Sequence, residues 1–211
     1  MKKLIIFIAV VSALNSYGQK TQFGFTGGAT IANYKSKSDG NDESGKSKIG
    51  FTLGMFANMA VGKNFVIQPG LNWVQKGSKD EVDMGGFTEK YQITTNHIEV
   101  PVNFIYKGNG FFIGAGPSFS FGVSGKVKWE AAGINGEEKI HFGNSDTSDI
   151  KPFDMGANVL TGYQFKSGFL IVANYNLGLS NLIPGSGADN GSFKSRYFGI
   201  KLGYLLHGKG K

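Results

Sequence analysis

The chain has 211 residues, enough for one domain with a sizeable core, or at most two. It contains no cysteine, which excludes disulfides and a lipid anchor on cysteine, and its three histidines share no metal-ligand spacing. The net charge of +7 comes almost entirely from lysines scattered over turns, loops and chain ends, not from a basic face of the kind that binds nucleic acid. We therefore expect no metal, no cofactor and no nucleic-acid partner.

The first eighteen residues have the three parts of a secretory signal. Two lysines precede an apolar run from Leu4 to Leu14, and small residues follow where a signal peptidase cuts. The run is too short for a membrane-spanning helix, which needs about 20 apolar residues. We predict a cleaved signal peptide over 1–18 and a mature domain over 19–211.

The mature chain alternates apolar and polar residues with the period of two that is typical of strands. The pattern predicts eight strands, at about 21–34, 48–61, 64–76, 90–106, 110–126, 151–166, 168–180 and 193–206. Tight turns are predicted at 62–64, 107–110 and 166–168. Long polar loops are predicted at 35–47, 77–89, 127–150 and 181–192. Alternately long and short connections indicate an up-and-down meander with both termini on the short-turn side.

One face of the predicted strands is apolar and uncharged, whereas the other is polar and rich in glycine. A soluble, lipocalin-like barrel would place the large apolar residues inside, but an eight-stranded interior is only just wide enough for side chains. Turned outward, these residues match the hydrocarbon of a membrane. We therefore predict an all-β, eight-stranded antiparallel up-and-down transmembrane β-barrel. Its even strand number, short turns and long loops are typical of the bacterial outer membrane, with periplasmic termini.

Aromatic residues near the short turns predict a girdle at the level of the periplasmic headgroups. They are Phe65, Tyr106, Phe111, Tyr163, Phe165, Phe169 and Tyr204. Such a belt is independent support for a membrane barrel, because a soluble barrel has no reason to collect aromatic residues at one level.

The polar face predicts an interior cluster of charged and amide side chains. Its members are His97, Glu99, Asp154, Lys201, Gln68, Asn72, Asn158 and Asn174. Two carboxylates face one lysine, and a buried charge must be paired or neutralised. We expect Lys201 to reach Glu99 and protonated His97 to supply the missing cation. The alternatives are a protonated Glu99 or Asp154, or Asp154 hydrated at the outer mouth beside Arg196.

The cluster is interpreted as a structural plug of ion pairs and amide hydrogen bonds; a gated proton or small-ion path is the sharper alternative. A catalytic triad of Ser118 or Ser120 with His97 and Asp154 is possible on paper, but no nucleophile elbow marks it. The glycine-rich segment "GAGPSFSFG" lacks the following helix that a phosphate loop needs. We therefore predict a protein that is not an enzyme.

Three prolines fall inside predicted strands: Pro69, Pro101 and Pro117. Each lacks the N–H that a neighbouring strand would bond. We expect β-bulges at these positions.

The segment "HIEVPVNFIYKGNGFFIGAGPSFSF" (97–121) resembles the central signature of the PorT-like outer-membrane β-barrel family of Bacteroidetes. "FDMGANVLTGYQF" (153–165) and "ANYNLGLSNL" (173–182) resemble its next two strands, and "YFGIKLGYLL" (197–206) its last. The resemblance spans nearly the whole mature chain and implies an eight-stranded outer-membrane barrel of the porin-like kind. A namesake member of the family assists type IX secretion.

The leading functional hypothesis is a non-enzymatic integral outer-membrane barrel with a filled polar interior. Its partners would be outer-membrane lipid and, through the long loops, an extracellular ligand or envelope protein, for surface contact or envelope architecture. The alternative is a narrow porin-like transport or accessory type IX secretion component.

Overall fold

The computed structural model describes residues 21–38, 41–85, 88–186 and 191–206, so the predicted signal peptide lies outside the described residues. Ten strands of the described residues form one sheet. They are β1 (Gln22–Ser38), β2 (Asn41–Ser44), β3 (Lys46–Ala60), β4 (Phe65–Asp83), β5 (Thr88–Gly108), β6 (Phe111–Ala131), β7 (Ile134–Lys139), β8 (Phe153–Gln164), β9 (Phe169–Gly178) and β10 (Gly191–Leu205). Within these ranges, no helix is long and apolar enough to cross a membrane.

Eight of the strands close into a ring in the order β1, β3, β4, β5, β6, β8, β9, β10. The ring is completed by antiparallel pairing of β10 with β1, from Gly24 opposite Leu205 to Ser38 opposite Gly191. Closure leaves the ring without an unpaired edge, as a sheet in lipid requires. β2 and β7 are additional strands that pair with the outer ends of β1 and β6. The predicted up-and-down barrel of eight strands is confirmed.

The alternation of side chains along each strand separates two surfaces. In β8, exposed and buried residues alternate without a break from Phe153 to Leu160. Phe153 is 50% exposed, whereas its neighbour Asp154 is 2% exposed. The large apolar side chains thus point outward and the polar ones inward, the reverse of a soluble lipocalin-like barrel.

The seven aromatic residues predicted for the girdle lie next to the short turns: Phe65, Tyr106, Phe111, Tyr163, Phe165, Phe169 and Tyr204. Cross-strand pairing sets their common level. Phe65 is opposite Tyr106, with ring centroids 5.4 Å apart, and Phe169 is opposite Tyr204, with centroids 5.5 Å apart. We call this set the aromatic belt.

Of the long loops predicted from the sequence, 35–47 and 77–89 are mostly strand and 127–150 is partly strand, so those predicted boundaries are wrong. β4 and β5 stay paired out to Asp83 opposite Thr88, and β6 turns back as β7 through Ala132 and Gly133, both with positive φ. These outer segments carry polar residues on both faces. The alternation of apolar and polar residues therefore ends at the edge of the apolar band, whereas the backbone pairing of the strands continues beyond it. We call residues 77–83, 88–96 and 124–139 the outer ridge.

The bulges expected at the prolines are absent from the described ladders. The β3–β4 ladder omits the pair that would hold Pro69, and the β5–β6 ladder omits the pair that would hold Pro117, yet both resume in the same register. The register shifts lie elsewhere, between Ser47 and Thr52 and between Asn96 and His97. The prolines are thus accommodated by missing ladder bonds and not by an inserted residue.

The surface assignment predicts the effect of a charge placed on the barrel wall. Val102→Arg and Ile171→Arg should each destabilise the folded protein by about 2–4 kcal/mol, because both side chains point outward within the apolar band. Urea titration in phospholipid bilayers measures this free energy of unfolding. Gln92→Arg, on the outer ridge, is the matched control and should change it by less than about 0.5 kcal/mol. Equal effects at all three positions would contradict the assignment.

Candidate functional site

The candidate site is the interior of the ring. All eight residues predicted for the polar cluster line it: His97, Glu99, Asp154, Lys201, Asn72, Asn158 and Asn174 are buried, and Gln68 is half-buried. From the short turns outward, the interior has an apolar layer, an amide layer, a charged centre and an apolar lid.

The charged centre contains a lysine that the sequence analysis did not include. Lys76 is 2% exposed, and its Nζ lies 3.7 Å from Glu99 Oε2 and 3.7 Å from Asp154 Oδ2. With Lys201, two lysines balance two carboxylates. Lys76 lies on β4, Glu99 on β5 and Asp154 on β8. One ammonium group therefore connects the neighbouring strand β5 and the distant strand β8.

Hydroxyl groups complete the charged centre. The Lys76 ammonium donates to Ser120 Oγ at 3.3 Å and to Ser195 Oγ at 3.4 Å. Ser195 Oγ donates to Asp154 Oδ2 at 2.6 Å, and Tyr197 OH donates to Glu99 Oε1 at 2.6 Å. Each carboxylate thus has an ion-pair partner and a short hydrogen bond, the conditions under which a buried charge is tolerated.

The assignment of His97 as the missing cation is wrong, because Lys76 occupies that role. His97 Nε2 lies 3.0 Å from Thr95 Oγ1, which also bonds Tyr34 OH at 2.6 Å. The hydrated position of Asp154 is wrong as well, since Asp154 is buried and Arg196 donates to Asn33 Oδ1 at 2.7 Å.

Lys201 is buried but forms no direct ion pair with Glu99 in the described part of the chain, so that predicted pair is wrong as a contact. Both side chains line one cavity of about 60 Å³, which continues toward Lys107 near the short turns. A cavity holds a water when it offers roughly 10–15 Å³ and polar partners. This one has room for several waters between Lys201, Glu99 and Asn174 Oδ1, which lacks a hydrogen-bond partner within the described protein.

The amide layer consists of Asn58, Gln68, Asn72, Asn103, Asn158 and Asn174, and it crosses the ring below the charged centre. Asn174 Nδ2 donates to Asn158 Oδ1 at 3.0 Å, and Asn158 Nδ2 donates to Asn103 Oδ1 at 2.9 Å. A chain of amides satisfies polar groups on β9, β8 and β5 without any charge. Its bond between Asn158 and Asn103 links β8 to β5, which share no ladder.

An apolar layer closes the interior at the short-turn end. It consists of Val66, Ile105, Phe112, Leu160, Leu170 and Leu205. Ile105 is 0% exposed and Val66, with the largest exposed fraction of the six, is 8% exposed, so the layer is packed. These residues have the inward parity of their strands, although the sequence analysis treated that parity as polar.

A lid covers the outer end of the interior. It is built from residues 140–152 and 179–186, whose apolar side chains pack on Tyr34: Ile140, Ile150 and Leu182 are buried, with Phe142 and Phe193 beside them. Backbone bonds tie the lid to the ring, from Gly122 N to Pro152 O (2.7 Å) and from Leu182 N to Phe193 O (2.8 Å). The Phe142 ring lies so close to Gly122 that a Cβ there would be 2.4 Å from it, so a larger residue at 122 would have to displace this ring of the lid.

Hydrogen bonds also hold the two lid segments to each other. The backbone N–H of Ser186 donates to Asp146 Oδ1 at 2.8 Å, and the Ser186 hydroxyl donates to the same oxygen at 3.0 Å. These bonds hold the pKa of Asp146 below its usual value. The lid is therefore one packed unit.

Ion pairs of the outer ridge stand outside the membrane-spanning part. Lys126 Nζ donates to Glu137 Oε2 at 2.9 Å, and Lys128 Nζ is 3.5 Å from the same oxygen. The hydrogen bond from Lys126 lowers the pKa of Glu137, as the bond from Lys46 lowers that of Glu81. The ridge thus presents charges that are paired across strands.

Lys76 was missed although it is the last residue of the predicted third strand, 64–76. Its parity is that of Gln68 and Asn72, which were assigned to the interior, so the alternation already placed it there. No group of three or more His, Cys, Asp and Glu side chains in the described ranges has the geometry of a metal site.

A closed ring with an apolar outside, an aromatic belt and a polar inside is the architecture of a barrel in an outer membrane. The family model described as outer membrane protein beta-barrel domain matches residues 15–184. The chain belongs to this family. This outer-membrane barrel has no match among curated proteins.

Several solved structures are similar to this outer-membrane barrel. The attachment invasion locus protein Ail of Yersinia pestis is 13% identical, with 88% of this chain and 99% of that chain covered and a TM-score of 0.45. OprG from Pseudomonas aeruginosa is 11% identical, with 90% and 98% covered and a TM-score of 0.42. The protease OmpT from Escherichia coli is 9% identical, with 92% and 100% covered and a TM-score of 0.47.

The charged centre predicts that one lysine carries much of the stability of the barrel. Lys76→Met should destabilise it by about 3–5 kcal/mol, because it leaves two carboxylates buried without their cation. Lys79→Met, at an exposed lysine of the same strand, should change stability by less than about 0.5 kcal/mol. Urea titration in bilayers compares the two variants.

A second variant tests the pairing itself. Asp154→Asn in the Lys76→Met background should restore part of the lost stability, because one stranded charge is removed. Additive losses in the double variant would contradict the shared-cation arrangement.

The outer ridge predicts a pH effect with a defined sign. The folded pKa of Glu137 lies below its ordinary value of 4.5, so the stabilisation by its ion pairs is present above about pH 4.5 and lost as pH falls through the folded pKa. NMR titration of the side-chain carboxyl measures this pKa. Lys126→Met should raise it toward 4.5, whereas Lys63→Met, at the opposite end of the barrel, should leave it unchanged. A pKa insensitive to Lys126→Met would contradict the pairing.

Proposed function

We propose that this outer-membrane barrel is not an enzyme, that it does not conduct, and that it acts through the outer ridge as a surface for extracellular ligands or envelope partners. One observation carries the proposal: the interior is blocked at three successive levels. Ile105 of the apolar layer is 0% exposed, Glu99 and His97 of the centre are 1% exposed, and Leu182 of the lid is 1% exposed. A solute crossing the barrel would have to displace all of them.

The blocked interior favours contact over transport. Opening a path would separate Lys76 from Glu99 and Asp154 and also unpack the lid from Tyr34. Breaking a buried pair costs about 3–5 kcal/mol. A path through the barrel would therefore need a source of free energy, such as a secretion partner. The transport alternative requires such a source.

The hydrogen bonds of the interior hydroxyls support a role without catalysis. Ser118 Oγ accepts from Asn176 Nδ2 at 2.7 Å, and Ser120 Oγ accepts from Lys76 at 3.3 Å. His97 contacts Thr95 and neither of these serines. An acyl-transfer site needs its serine within hydrogen-bond reach of a base. No such pair forms among the described interior residues.

The outer ridge offers the surface that the proposal requires. A cleft of about 590 Å³ lies between the outer ends of β4, β5, β6 and β7. Tyr91, Trp129 and Gln92 line it together with lysines and carboxylates, so it combines flat aromatic groups with hydrogen-bond donors and acceptors of both charges. Such mixed surfaces suit polar ligands and protein partners.

Within the barrel family we propose the PorT-like branch for this chain, on the strength of the segment over 97–121. The leading role within that branch is surface contact or envelope architecture. Accessory type IX secretion remains the alternative. It would require an energy-driven opening of the barrel.

Conductance measurement tests the blocked interior. The refolded full chain, inserted into planar bilayers, should show no steady conductance steps at voltages where a general porin, as positive control, conducts. Regular conductance steps from the unchanged full chain would overturn the proposal in favour of transport.

Surface labelling tests which end faces outward. An amine-reactive biotin reagent that cannot cross the outer membrane should label Lys37, Lys46 and Lys79 on intact cells, because these lysines are exposed at the ridge end. Lys63 and Lys166, exposed in the short turns, should react only after permeabilisation. Labelling of the short turns on intact cells would invert the orientation and contradict the proposal.

A further inference from the structure

The two ends of the barrel differ in charge. The chain has 15 acidic residues, and none lies in the described segments next to the short turns: 21–26, 60–70, 102–115, 158–171 and 200–206. Each of the three short turns nevertheless carries a lysine, Lys63, Lys107 or Lys166. The turns are therefore basic without a carboxylate nearby in sequence, unlike the outer ridge.

The ring order brings the three basic turns together. The turns β3–β4, β5–β6 and β8–β9 follow one another around the rim, because β4 pairs with β5 and β6 pairs with β8. Backbone bonds join them, from Lys107 N to Asn64 O (2.8 Å) and from Gln164 N to Gly110 O (2.7 Å). The middle turn is a two-residue turn with positive φ at Asn109 and Gly110, the short form that fixes the flanking strands closely. The three lysines are thus held on a rigid arc.

The arc encloses a pocket of about 490 Å³. Its polar lining comes from the three lysines with the side chains of Asn64, Asn109 and Gln164, and it includes no carboxylate. Lys107 Nζ donates to the neutral oxygen Gln164 Oε1 at 3.0 Å. Within the described ranges, none of the three lysines has an acidic partner. Their positive charges are therefore uncompensated by the protein around them.

We propose that the three basic turns form a binding site for a phosphate-type oxyanion at the short-turn mouth of the barrel. Converging ammonium groups and side-chain amides are the donors that recognise such a group, and charge-assisted bonds to an oxyanion are about twice as strong as neutral ones. An anion that bridges the lysines also relieves their mutual repulsion.

The position of the pocket defines two sources for the oxyanion. Phe165 lines the pocket and belongs to the aromatic belt, which marks the level of the headgroups. Asn64 Nδ2 also donates to Tyr106 OH of the belt at 3.4 Å. A phospholipid of the facing leaflet can therefore present its phosphate here, and a soluble phosphorylated ligand can approach from the aqueous side. The site lies at the end opposite the outer ridge and needs no open interior, so it is independent of the proposed function.

The experiment uses the refolded full chain in phosphatidylcholine nanodiscs, with NMR of the backbone amides of Gly108, Asn109 and Gly110. Pyrophosphate should shift these signals in a saturable manner. The triple variant Lys63→Gln, Lys107→Gln, Lys166→Gln should weaken binding by roughly tenfold or more, because it replaces three charge-assisted donors by neutral ones. Glutamine keeps a hydrogen-bond donor at each position without the charge, so the turns should retain their fold.

The matched control is Lys37→Gln, Lys90→Gln, Lys194→Gln, which removes three exposed lysines from the outer end and should bind pyrophosphate as the unchanged protein does. A second arm replaces part of the phosphatidylcholine by phosphatidylglycerol without pyrophosphate, and turn shifts that need this lipid identify the headgroup as the source. Pyrophosphate shifts in phosphatidylcholine alone identify a soluble oxyanion. Absence of saturable shifts in both arms, or equal binding by the two triple variants, would overturn the site.

Discussion

Backbone pairing of β10 with β1 is the constraint on which the rest of the structure depends. Hydrocarbon offers no hydrogen bonds to an unpaired N–H or C=O, so a sheet that crosses a membrane must close on itself. A ring of eight strands leaves an interior just wide enough for side chains. Large groups such as Phe111 and Ile113 therefore lie outside, while glycines, amides and a few charges remain inside.

Closure also makes the interior charges depend on one another. Glu99, Asp154 and Lys76 would each be solvated separately in water, but in the packed ring the free energy of each depends on the other two. The apolar layer on one side and the lid on the other keep solvent from replacing these contacts. A stable barrel and a blocked interior are thus two consequences of the same packing.

The two ends of the barrel differ in how their charges are compensated, because the connections between strands are long at one end and short at the other. Long hairpins on the outer ridge place lysines opposite carboxylates, as with Lys126 and Glu137, so charge is compensated within the protein. The short turns have no room for such partners. Lys63, Lys107 and Lys166 therefore leave a field of one sign at that end, which attracts anions from lipid or water.

The amino-acid sequence by itself determined the barrel, its strand number and the two faces, because alternation of apolar and polar residues is a local property that closure in lipid turns directly into outside and inside. It also indicated that Glu99 and Asp154 face inward. The local pattern could not identify their partner. Lys76 lies directly before the polar sequence of the outer ridge, where the apolar–polar alternation ends, and His97 is closer to Glu99 along the chain. Nor could it show that the apolar residues of inward parity form a closing layer, or that residues 140–152 fold back as a lid. These features were decided only by the tertiary structure, because the distances between β4, β5, β8 and β10 across the ring depend on strand order and register, which no single segment encodes.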